Sequence, residues 1–72
     1  MRDAVIQRAG YGIIDVSFNA EESKIESVLR KAGVTLTSAE KMYVNRVQVL
    51  NGAEIEDGDV IQIIAGKDNG IR

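Results

Sequence analysis

The stretch Met42–Ile64 constrains this chain most. Two apolar runs, Met42–Leu50 and Val60–Ile64, flank a polar segment that ends in Asp57-Gly58-Asp59. Both runs are rich in Val and Ile and bounded by Asn, Gly and Asp, which is the pattern of β-strands. Asp-Gly continues neither strand nor helix easily, so the chain turns just before its last strand. Within the first run, Asn45-Arg46 reads as a tight turn between strands Met42–Asn45 and Val47–Leu50, with Met42 and Val44 inward and Tyr43 outward. Asn51-Gly52 is a further turn and Ile55 a core plug. In Val60–Ile64, Ile61 and Ile63 face inward, because the other register buries Gln62.

The first half supplies a hairpin and a helix. Ala4–Ala9 and Ile13–Phe18 alternate around Gly10-Tyr11-Gly12, where glycine tolerates the positive φ of a tight turn. Ile14, Val16 and Phe18 share one face, and a one-residue slip would bury Asp15. Asn19 followed by Glu22 has the form of a capping box. Ile25, Val28, Leu29 and Ala32 recur at helical spacing, and Gly33 follows Arg30 and Lys31 as a stop. These signals predict one helix over Glu21–Ala32. Val34–Lys41 reads as a crossing loop anchored by Leu36. The order strand, strand, helix, strand, short strand, strand predicts an α+β, β-grasp chain, ββαββ(β), with one helix across a mixed sheet. Residues 1–66 form the domain and 67–72 a flexible tail.

Composition removes much chemistry. The 72 residues include no Cys and no His, so disulfides, Cys/His zinc sites, thiol nucleophiles and imidazole bases are excluded. A core this small supplies only about 3–5 kcal/mol of margin. Nine basic and eleven acidic residues are interspersed, giving a net charge of −2; a nucleic-acid binder would show a basic stripe. No run approaches the roughly 18 apolar residues of a membrane span, and the first residues lack a signal peptide's apolar core. The expected address is cytoplasmic, with no nucleic-acid or membrane partner and no cofactor.

Chemical motifs are weak. Gly10-Tyr11-Gly12 lacks the third glycine and the following helix of a dinucleotide loop. Gly66-Lys67 lacks the rest of a phosphate-binding loop. The serines have no histidine to activate them, so no enzyme and no catalytic residue is expected. Glu54, Glu56, Asp57 and Asp59 lack the ligand spacing of a calcium loop and read as turn chemistry.

Tyr43-Val44-Asn45, and Ile55-Glu56-Asp57-Gly58-Asp59-Val60 leading into Ile61–Ile64, resemble the ubiquitin-like β-grasp proteins, most closely the ThiS/MoaD-type sulfur carriers; TGS domains share the pattern. The likeness spans the chain in element order and is carried in residues only from Met42 to Ile64. Sulfur carriers end in Gly-Gly, whose terminal carboxylate is adenylated and converted to a thiocarboxylate. Here Gly70 falls near that position, Asn69 replaces the other glycine, and Ile71-Arg72 follow. Asn69 and Gly70 are therefore the candidate carrier tail, which would need trimming and an adenylating enzyme as partner.

The alternation leaves Val5, Ile13, Tyr43, Val60 and Ile64 together on the sheet face away from the helix. Five apolar residues there exceed scattered exposure. They predict a binding face for a protein partner or for a homo-oligomer. The leading expectation is a non-enzymatic β-grasp protein acting through that face. The alternatives are a sulfur carrier activated at Gly70 and a small phage-type or regulatory inhibitor of a host protein.

Overall fold

A computed structural model describes residues 1–66. Five strands, β1 (Arg2–Arg8), β2 (Gly12–Phe18), β3 (Glu40–Val44), β4 (Val47–Val49) and β5 (Val60–Ala65), form one mixed sheet in the order β2-β1-β5-β3-β4. β1 and β5 are parallel neighbours at its centre; the other pairs are antiparallel. One helix, α1 (Ile25–Lys31), lies between β2 and β3 in sequence. This is an α+β, ββαβββ arrangement consistent with a β-grasp.

Burial alternates along the strands as the sequence requires. Ala4, Ile6, Val16, Phe18, Met42, Ile61 and Ile63 are buried on the helix side, where Ile25, Val28 and Leu29 of α1 meet them. Ile14, Val44 and Leu36 pack at the margin. Ile55 fills the core from the segment before β5 and is 0% exposed. Burying such a side chain stabilises by roughly 1.5–3 kcal/mol, so this one loop residue matters as much as a strand residue.

The helix departs from expectation. Residues Ala20–Glu22 form a separate 3-10 turn, Asn19 makes no side-chain cap, and α1 begins only at Ile25. Tertiary pairing overrides the capping box. Lys24 is extended and forms an isolated β-bridge with Glu54. The Ile25 N–H donates to the Ala53 carbonyl and the Ile55 N–H to that of Ser23. Ser23 is buried, and its hydroxyl bonds the Ala20 carbonyl and the Glu54 carboxylate. The segment that inserts Ile55 thus claims the backbone that a longer helix would use. The helix end agrees with the sequence: Gly33 has φ +77, and the Gly33 and Val34 amides bond the carbonyls of Arg30 and Leu29, a Schellman stop.

A tight turn fixes the second hairpin. Asn45 (φ 50) and Arg46 (φ 74) form the two-residue link from β3 to β4, the both-positive geometry that suits the strand twist and that Asn tolerates well. Strand bounds differ slightly from those predicted. β1 starts at Arg2 and β3 at Glu40, because side chains at both places are anchored across the fold: Arg2 by Glu54 and the Ile55 carbonyl, Arg8 by Glu40.

Candidate interaction face

The side of the sheet away from α1 carries no second layer among the described residues. Its rows follow from the strand registers. One row runs Ile13, Gln7, Gln62, Tyr43, Gln48; the next runs Asp15, Val5, Val60; Ile64 lies beside Lys41. All five predicted residues, Val5, Ile13, Tyr43, Val60 and Ile64, therefore share this face. Ile13 (69% exposed) and Ile64 (45%) are open to solvent. Val5, Tyr43 and Val60 are half-buried by their neighbours.

The five do not fuse into one apolar patch. Val5 and Val60 touch as a cross-strand pair, but Gln7 and Gln62 occupy the centre and separate them from Ile13, Tyr43 and Ile64. The two amides approach to 3.5 Å. The central glutamines were missed as site residues, although the same alternation that placed Tyr43 outward places them there. Ile13, Ile64, Gln7 and Gln62 line one shallow depression next to Gly10 and Gly12; Arg46, Asn45 and Val60 line another with the same glutamines. The face is amphipathic.

The acidic segment is structural. The Asp3 N–H donates to Asp57 Oδ1 at 2.7 Å, and the Gly58 N–H donates to the Asp3 carbonyl. Asp59 Oδ2 accepts from the Glu56 N–H, and its Oδ1 accepts from Asn45 Nδ2 at 3.0 Å. Asn45 Oδ1 in turn accepts the Val60 N–H. The Val-Asn and Asp-Gly-Asp motifs are thus the two halves of one latch that ties the β3–β4 turn and the start of β1 to β5. Glu54 serves Ser23, Lys24 and Arg2, and the Ser23 hydroxyl, then Lys24, hold its pKa below the ordinary value. No cluster of potential metal ligands occurs among the described residues.

An ion pair closes the far end of the core. Arg8 meets Glu40 through two bonds of 2.9 and 2.8 Å, with side chains only 10% and 7% exposed. Arg8 also donates to the Thr35 carbonyl, its guanidinium lies 3.9 Å from the Tyr11 ring centroid, and the Thr37 N–H donates to Glu40. Arg8 and then the Thr37 amide pull the Glu40 pKa down to about 2. Arg8 and Glu40 are thus bonded to each other and to the Thr35 and Thr37 backbone, and the cluster is a clasp.

Asn69 and Gly70 lie outside the described residues. Among those described, no helix is long and apolar enough to cross a membrane. No protein-family model, curated protein or solved structure matches this chain.

Proposed function

We propose that this chain is a non-enzymatic binding domain that recognises another protein through the open face of its sheet. The observation that carries this reading is the co-facial set Val5, Ile13, Tyr43, Val60 and Ile64 around Gln7 and Gln62. An aromatic ring at Tyr43 gives contact area at low entropic cost, and the glutamines supply donors and acceptors for register. The carboxylates of Asp57, Asp59 and Glu40 are taken up by the latch and the clasp, which supports a structural role for those three.

The test is site-resolved photo-crosslinking. A photoreactive amino acid at Tyr43 or Ile64 should give a discrete crosslinked protein in cells expressing the chain, whereas the same probe at Glu22 or Lys31 on the helix side should not. Crosslinks confined to the helix side would overturn the reading.

The likeness to sulfur carriers offers a second reading, supported by the meeting of the Val-Asn and Asp-Gly-Asp segments at the start of β5. It would put the working group at Gly70 and would require removal of Ile71-Arg72. Intact mass after co-expression with an adenylating enzyme tests it: a thiocarboxylate on a chain ending at Gly70 supports the carrier, and a chain ending at Arg72 opposes it.

A further inference from the structure

The sheet has two outer strands, and they differ in how much backbone they leave unpaired. The Val5 N–H donates to the Asp59 carbonyl and the Ala9 N–H to that of Ile63. Odd-numbered residues of β1 therefore turn their backbone towards β5, and even-numbered ones towards β2. Arg2, Ala4, Ile6 and Arg8 stand opposite Phe18, Val16, Ile14 and Gly12. The N–H and C=O groups of Ile13, Asp15 and Ser17 consequently point away from the sheet, and none has a partner among the described residues. At the other edge, the Asn45 N–H donates to Val60. Val44 and Met42 are then bonded to Val47 and Val49, leaving Gln48 as the outward residue of β4. One edge offers three ladder positions over about 13 Å, at roughly 3.3 Å per residue; the other offers one.

The side chains along β2 describe what fits there. Ile13 is open on the sheet face, and Ile14 is half-buried on the helix side. Asp15 sits between the two other outward residues. Beside it, Asp3, Asp59, Val5 and Ser17 line a hollow with no basic side chain in its wall. A second copy is a poor occupant: symmetric antiparallel pairing about Asp15 sets Asp15 against Asp15, and like charges directly opposite are unfavourable. A cation at that register reverses the sign.

We propose that β2 is a strand-addition edge for an extended segment of another protein, with a lysine or arginine facing Asp15 and aliphatic residues beside it. This rests on the reading of the chain as a protein-binding domain and names its partner's chemistry: main-chain bonds to Ile13, Asp15 and Ser17 hold the segment, and the exposed Asp15 carboxylate selects the cation.

Amide hydrogen exchange on the full chain tests this with the synthetic peptide Ac-Thr-Val-Lys-Val-Thr-amide, its glutamate-centred counterpart, and a version N-methylated on the lysine, whose N–H faces the Asp15 carbonyl in an antiparallel pair. The lysine peptide should slow exchange at Ile13, Asp15 and Ser17 and leave Gln48 unchanged. The glutamate peptide should bind about tenfold more weakly, the swing from attraction to repulsion across one strand pair. Asp15→Asn should remove most of that difference, and the N-methylated peptide should give no protection. Absent protection, unchanged discrimination in Asp15→Asn, or self-association that protects the same amides without peptide would each overturn the proposal. Crosslinks from Tyr43 and Ile64 without peptide protection at β2 would sink the edge and leave the sheet-face reading standing. Protection at β2 without those crosslinks would do the reverse.

Discussion

The two faces of this sheet are built from the same strands and follow opposite rules. On the helix side the residues are uniformly aliphatic or aromatic, and the polar groups at its margin, such as Ser23, Arg8 and Glu40, are bonded within the fold. On the open side each row mixes apolar and polar residues, and Ile13, Ile64 and Lys41 meet solvent. A chain this short needs the first face to fold. The second face is free to carry specificity because removing its side chains leaves no cavity. If the open face recognises a partner, stability and recognition are separable by mutation.

The largest effect should come from the helix side. Leu29→Ala removes a side chain that is 5% exposed and should cost about 2–5 kcal/mol, enough to unfold much of the population. Lys24→Ala, on an exposed side chain, should leave the melting temperature nearly unchanged. Equal melting temperatures for the two would show that the faces are not divided as described.

Acid should sharpen the contrast next. Glu40 falls from 4.5 to about 2 in the folded chain. A depressed carboxylate pKa contributes stability that is present above the unfolded value and lost as pH falls through the folded one. Thermal stability should thus decline between about pH 4.5 and 2, and Glu40→Gln should be less stable at neutral pH with a flatter acid arm. An identical acid profile for Glu40→Gln would show that the clasp contributes nothing.

The smallest effect is expected from the tail. If the sheet face binds the partner, deleting residues 67–72 should change affinity for the crosslinked protein by less than threefold, about 0.7 kcal/mol. A much larger loss would favour the carrier reading and break the assignment of function to the face.

The sequence made the sheet legible because period-2 alternation is local: Ile14, Val16 and Phe18, or Ile61 and Ile63, declare their side within a few residues. The positive-φ turn at Asn45-Arg46 and the stop at Gly33 are local as well. The helix start was misread because the competing partner, Ala53–Ile55, lies some thirty residues away. For the same reason no window shows Arg8 with Glu40, or Asp57 reaching the Asp3 amide. The open face was half legible. Parity places its five apolar residues, but hydrophobicity does not single out Gln7 and Gln62, which the registers set at its centre. The orphan backbone of β2 could not be read at all, since it depends on which neighbour each strand has.

The most direct test compares paired variants against the protein crosslinked at Tyr43. Tyr43→Ala with Ile64→Ser alters the open face; Glu22→Ala with Lys31→Ala alters exposed residues on the helix side. The first pair should weaken binding at least about tenfold, roughly 1.4 kcal/mol, while its melting temperature stays close to that of the unaltered chain, and the second pair should bind normally. Equal affinities for the two, or a loss of binding that merely tracks a loss of folding in the first, would contradict a binding role for the open face.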